Sequence, residues 1–298
     1  MSEVLVVGDA IVDIVFGGVD QLPDPGEEVV ASAYELRAGG SGGYASLGLA
    51  AVGEDVRVST LVGTDGFSDH WVDFLADQGV DTTAVERVPD ERASTAAGFL
   101  LPEDRSFVTY RGAVGSDRSL VPALDGCDAV LVAGFSQAPY LWSDDVVEFI
   151  RGLGERDVPV FLDTNWSPSP WQDAFESVVP AVDYLLVNDL EARRLGDAET
   201  VSDAGRALLE RGAGTCVVKN GAEGCTIVDD SGVETVGTAP REAVDTCGAG
   251  DLFDASFVSE LLDGRSAPEA AATANRCAGV AVEEFELRAK LDRIRALS

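Results

Sequence analysis

Lysine is almost missing from this chain: Lys219 and Lys290 are the only two in 298 residues, and basic residues total 21 against 53 acidic ones. The formal charge of −32 repels polyanions, which excludes nucleic acid and anionic membranes as partners. Histidine occurs once, as His70, and no Gly-x-Ser-x-Gly elbow accompanies it, so a Ser-His-Asp hydrolase is excluded and His70 reads as a surface residue. The five cysteines, Cys127, Cys216, Cys225, Cys247 and Cys277, are odd in number and form no C-x-x-C pair or metal-ligand spacing. They read as small core residues in a reducing compartment. No apolar run approaches the ~20 residues that span a bilayer, and Met1-Ser2-Glu3 lacks the basic start of a signal peptide, so a soluble cytoplasmic protein is expected. Repeats, linkers and low-complexity tracts are missing too, as is a G-x-G-x-x-G after the first strand, which argues against a nicotinamide-binding enzyme.

What is present is a hydrophobic content of 46%, enough for a large core, and the expectation is one α/β domain over residues 1–298 with a small appendage. A first strand ends at Gly8-Asp9, and a second apolar run follows around Asp13. An acid within such a run is either a strand-end carboxylate or a ligand to substrate hydroxyls. A strand is expected over Glu28–Arg37, then a glycine-rich loop over 39–43, a buried helix from Ala45 to Val52, and a strand over Val56–Val62. Ser94–Leu101 and Arg105–Arg111 form a hairpin through Pro102-Glu103-Asp104, and with residues from about 11–37 they make a small sheet over the active site. Arg111, at the hairpin's end, is a solvated charge or a clamp for an anionic substrate group. From Ala129 onward strands and helices alternate, which implies a parallel sheet with ligands at its carboxyl edge. Asp163-Thr164-Asn165-Trp166 falls at such an edge.

The most informative stretch is Asp245-Thr246-Cys247-Gly248-Ala249-Gly250-Asp251-Leu252-Phe253. Helical spacing of Leu252, Phe253, Phe257, Val258 and Leu261 starts a helix at its end. Small residues ahead of a helix leave backbone N–H groups uncovered, and with the helix dipole these form an anion site. A carboxylate beside that site, Asp251, caps the helix or takes a proton while charge develops nearby.

The pattern Asp-Thr-x-Gly-Ala-Gly-Asp-x-Phe over 245–253 resembles the C-terminal signature of the ribokinase (PfkB) family of carbohydrate kinases. This resemblance covers nearly the whole chain. It implies a ribokinase-like α/β fold with a β lid, and transfer of the ATP γ-phosphoryl group to a hydroxyl of a sugar or sugar-like acceptor. Under it, Asp251 is the general base, and the Gly248, Ala249 and Gly250 amides stabilise the transferring group. Asn188-Asp189-Leu190-Glu191 matches a family motif whose Glu helps hold hydrated Mg²⁺, and the same spacing describes a capping box. Lys219, Gly221 and Gly224 match a turn bordering the ATP phosphates and ribose, and Asn275 a position lining the adenine pocket. For the acceptor, the resemblance points to Asp13, Gly39, Gly40 and Asn165, and to Tyr44 where the family usually has Asn. Asp245 is assigned to a monovalent-cation (K⁺) or loop-orienting site, and the lid to a homodimer contact. The departure at Tyr44 keeps two other readings open: a sugar- or nucleotide-sensing protein on the same scaffold, or a nucleoside kinase.

So acidic a surface repels ATP as well, but at ~1 M salt the Debye length is ~3 Å and a pocket of backbone donors can hold phosphates unaided. The composition therefore predicts a salt-rich, halophilic cytoplasm. Removing salt is expected to lower the melting temperature through acidic self-repulsion; a value that stays flat from low to multimolar KCl contradicts this.

Overall fold

The computed structural model describes residues 2–102, 105–124, 126–156, 158–165, 167 and 171–297. Glu103 and Asp104 of the expected hairpin turn, and Trp166 after Asn165, lie outside these. The strands are β1 (Glu3–Gly8), β2 (Ile11–Gly17), β3 (Ala33–Gly39), β4 (Asp55–Val62), β5 (Val85–Arg87), β6 (Ser94–Leu100), β7 (Arg105–Tyr110), β8 (Ala129–Ala133), β9 (Val160–Asp163), β10 (Tyr184–Asn188), β11 (Thr215–Lys219), β12 (Cys225–Asp229) and β13 (Gly232–Val236). The helices are α1 (Ser41–Val52), α2 (Gly66–Asp77), α3 (Asp144–Leu153), α4 (Gln172–Val178), α5 (Asp189–Gly196), α6 (Val201–Glu210), α7 (Ala249–Leu262), α8 (Ala267–Ala281) and α9 (Leu287–Arg295).

The large sheet has the order β13-β12-β11-β10-β9-β8-β1-β4-β5. It is parallel from β11 through β5, and β12 and β13 add an antiparallel edge. Alternate side chains of β1 go to opposite faces, as strand geometry requires. Val4 and Val6 join the core under α1, α7, α8 and α9, while Leu5 and Val7 join the core under α3 to α6. A strand buried on both faces must be apolar throughout, which is why β1 reads as an uninterrupted hydrophobic run. Four of the five cysteines are buried, and all five are free. Among the described residues no helix is long and apolar enough to cross a membrane.

The lid is a second sheet of order β3-β2-β6-β7. Only Asp9 and Ala10 separate β1 from β2, so the chain steps from the large sheet into the lid just past β1's carboxyl end. It returns through Gly40 at φ 77, where a Cβ would lie 2.7 Å from the Asp9 carbonyl oxygen, and only glycine tolerates that approach. The expected strand over Glu28–Arg37 is shifted: β3 starts at Ala33, because its partner β2 ends at Gly17, which pairs with Ala33. Register also sorts the lid's two faces. Asp13 pairs with Arg37 on the inner face, while Phe16, Tyr34 and Phe99 cluster on the outer one.

Helix α9 was not anticipated; the acidic run after Val282 masked the apolar stripe of Leu287, Leu291 and Ile294, which is buried against the core.

Candidate active site

The carboxyl ends of β9, β10 and β11 face the start of α7 across a cavity of about 420 Å³. Asp163 ends β9 and Asn165 follows it, Asn188 and Glu191 join β10 to α5, Lys219 closes β11, and Gly221 and Gly224 form the next turn. Gly248, Ala249, Gly250 and Asp251 supply the opposite wall, and Asn275 from α8 lines the far end. Of the sequence-predicted residues, Asp13, Gly39, Gly40, Tyr44, Arg111 and Asp245 are not part of this lining. His70 is not either; it lies on α2 with its ring 6.2 Å from Phe74.

Gly248 is the N-cap of α7 at φ 75, and Asp251 is the third helical residue rather than the cap. A Cβ on Gly248 would sit 2.7 Å from Tyr44 Cδ1, so the loop packs directly against the tyrosine ring. Ala249 N–H turns back to donate to the Thr246 carbonyl at 3.2 Å, so it is less available to an incoming anion. A Cβ on Gly250 would lie 3.5 Å from Lys219 Nζ, so the ammonium stands beside this wall. Lys219 bridges Asp163 at 3.1 Å and Asp254 at 2.7 Å. Burial works against its charge, but Asp254 and Asp163 outweigh that and hold its pKa above the usual lysine value.

Several carboxylates share this space, and burial dominates each of them. Burial pushes Asp251 up to about 6, with Asp163 adding to the rise and Lys219 opposing it. The nearby Ser41 hydroxyl also works against the rise, and Ser41 Oγ accepts from Asn165 Nδ2 at 3.1 Å. Asn165 adopts the left-handed conformation, φ 50, to make that contact. Glu191 rises to about 7 through burial and Asp163. The two descriptions of Asn188 and Glu191 hold together, because the reciprocal capping box is complete and both residues still line the cavity. Thr164 steadies Glu191 with a 3.2 Å hydrogen bond. Oxygen donors of this kind suit a hard cation that keeps most of its water, so the Glu191 and Asp163 carboxylates on the cavity wall fit Mg²⁺ held through water. Asn275 is tied down by donating to the Val236 carbonyl at 3.0 Å.

The region around Asp13 is built differently. Tyr44 donates its hydroxyl to Asp13 Oδ2 at 2.9 Å, and a Cβ on Gly39 would lie 2.2 Å from that same oxygen. Burial raises Asp13 to about 7, against the opposing Tyr44 bond and the Arg37 charge. Tyrosine thus fills space beside Gly248 and occupies the carboxylate that the sequence suggested for substrate hydroxyls. Arg111 donates to Ser167 Oγ, pinning the hairpin's end to the loop after β9.

Asp245 does not fit a dissociable monovalent cation. Its carboxylate accepts from Cys247 N at 2.8 Å and is met by Arg37 at 2.6 Å and Lys290 at 2.8 Å. Burial opposes its charge, yet Lys290 and Arg37 hold its pKa below the usual value. Sequence reading also missed Asp254, although it lies one turn after Asp251 on the same helix. Arg105 was missed too: from the lid it reaches the cavity and donates to Thr246 Oγ1 at 2.6 Å.

A large, mostly parallel sheet flanked by helices and a separate small β sheet make this a ribokinase-like α/β fold. Residues 1–293 match the pfkB family carbohydrate kinases, and the chain belongs to that family. It is 27% identical to a ribokinase of Bacillus subtilis, covering 96% of this chain and 94% of that one. It is also 27% identical to a nucleoside kinase of Methanothermobacter thermautotrophicus, over 95% and 90% of the two chains. The ribokinase of Arabidopsis thaliana, solved with ribose and ATP, shares the fold with a TM-score of 0.84 at 23% identity over 99% and 98% of the chains.

Proposed function

We propose that this protein transfers the γ-phosphoryl group of ATP to a hydroxyl of a sugar or sugar-like acceptor, with Asp251 as general base. The observation that carries the reading is the position of Asp251: a partly buried carboxylate whose pKa is raised to about 6, in the first turn of α7 and on the wall of the cavity that Lys219 and Gly250 also line. Asp251 takes the acceptor's proton as its oxygen bonds to phosphorus; the bond from phosphorus to the β,γ-bridging oxygen breaks, and ADP leaves with that electron pair. The Gly250 amide and Lys219 stabilise charge on the transferring group. Mg²⁺ neutralises the phosphates when bound, and Glu191 with Asn188 is placed to hold it through water. Gly221, Gly224 and Asn275 also line the cavity, which supports their assignment to the nucleotide. The kinase unit spans 1–298, with the lid drawn from about 11–37 and 93–111. Exposed Tyr34, Val108 and Tyr110 on the lid support a homodimer through it.

An acceptor-dependent ADP-release screen in high KCl, over hexoses, pentoses, sugar acids and nucleosides, tests this reading. Turnover with at least one class is expected. Activity confined to acids supports Arg111 as a carboxylate clamp, and activity confined to nucleosides favours a nucleoside kinase. Tight ligand binding with no ADP across the whole panel instead supports the sensing protein, the reading that the Tyr44–Asp13 bond favours.

The base works only when deprotonated. Activity is therefore expected to rise with pH through about 6, and to fall about tenfold per pH unit well below that value. A kcat/KM profile that stays level down to pH 4 contradicts the role of Asp251.

A further inference from the structure

Both lysines of this lysine-poor chain lie at the active-site loop, and the mechanism above uses only Lys219. Lys290, on α9, is 1% exposed. Its three N–H groups meet three oxygens: the Asp245 carbonyl at 2.9 Å, the Cys247 carbonyl at 3.0 Å and Asp245 Oδ2 at 2.8 Å. That accounts for every donor an ammonium has. Two carbonyls and a carboxylate around one positive charge are the oxygen shell of a hard monovalent ion. The shell is made by the turn that immediately precedes Gly248, so whatever fills it sets where the α7 amides begin.

Two further connections fix the lysine there. Glu35 of the lid accepts from Leu287 N at 3.0 Å and pairs with Arg37 at 2.6 Å. Arg37 spans Asp245 and the Phe285 carbonyl, just ahead of α9. Helix α9 is therefore held at its start by the lid, and Lys290 reaches from its second turn to the loop. A free cation could not enter without expelling an ammonium that is covalently attached and already neutralised.

We propose that Lys290 is a tethered cation that substitutes for a dissociable monovalent ion beneath the Asp245–Cys247 turn and positions the loop carrying Gly248 and Gly250. Lys290 is a positioning residue, since it touches neither phosphate nor acceptor. The activity arm of this inference rests on the phosphoryl-transfer reading; the ion-binding arm does not.

The test compares KCl with choline chloride at equal, high ionic strength, so that screening of the acidic surface is the same in both. Choline is too large for a three-oxygen shell. For the wild type, equal kcat and equal melting temperature are expected in the two salts. Lys290→Ala opens the shell. In choline its kcat is expected to fall by about 10²-fold, with a smaller change in KM, and potassium or ammonium should restore at least about tenfold of that loss in a saturable way. The melting temperature of the variant should rise saturably with the same ions. Lys290→Met, whose side chain fills the opening, should be impaired without rescue. A wild type whose kcat or melting temperature rises severalfold or by several degrees in potassium over choline overturns the proposal, as does Lys290→Ala that gains nothing from either ion. If Lys290→Ala does not fold, the wild-type comparison decides; if no acceptor is turned over, the melting series decides.

Discussion

Replacing Asp251 by Asn is expected to lower kcat by roughly 10²–10⁴-fold, the usual worth of a general base, while leaving the fold intact. Asn is nearly isosteric, so the neighbouring Asn165–Ser41 hydrogen bond survives. It cannot take a proton. The stability change has a definite sign. Burial raises the folded-state pKa of Asp251 to about 6, so its contribution is fully present below the unfolded value near 3.8 and is lost as pH rises through about 6. At pH 7.5 the charged side chain opposes folding, and Asn removes that cost. The melting temperature of the variant at pH 7.5 should equal or exceed the wild type's. A variant with near-normal turnover, measured alongside that melt, would sink the assignment.

The second large effect is expected from Gly248→Ala. At φ 75 an alanine is in the left-handed region, which costs about 1–2 kcal/mol for a non-glycine residue. Its Cβ would also lie 2.7 and 2.9 Å from Tyr44 Cδ1 and Cγ, inside the closest distance such carbons adopt. The tyrosine cannot retreat easily, because its hydroxyl is bonded to buried Asp13. The loop must move instead, and the Gly250 amide moves with it. Loss of one well-placed anion-hole donor costs about 10²–10³ in kcat, so a drop of that order is expected, with a lower melting temperature. Adding Tyr44→Ala should recover part of the stability, since it removes the collision but not the backbone strain. A Gly248→Ala enzyme with unchanged kcat would show that this loop does not hold the transferring group.

The lining of the cavity was legible because it is written in contiguous runs. Gly248 to Asp251 are four neighbours at a helix start, and Asn188 to Glu191 is a single helical turn whose capping and cavity-lining roles need the same geometry. The region around Asp13 was legible only as a departure. That Tyr44 replaces the usual Asn could be read from the chain; that its hydroxyl is taken by Asp13 and its ring abuts Gly248 could not, since those contacts bridge 31 residues in one case and a different sheet-facing element in the other. The cation site shows the limit most clearly. Arg37 and Asp245 are 208 residues apart, and Lys290 lies on a helix that the acidic tail concealed. Spacing rules describe neighbours in sequence, and a three-way contact among lid, loop and terminal helix has no local signature.

The account centres on phosphoryl transfer at Asp251, and the most direct measurement follows the phosphorus itself. With γ-labelled ATP and the acceptor found by screening, the wild-type protein should place label in a phosphate ester of the acceptor, identified by ³¹P NMR. Asp251→Asn should bind ATP with unchanged affinity and place almost none. Label appearing only as inorganic phosphate, or passing to the acceptor equally fast with Asn at 251, would contradict it.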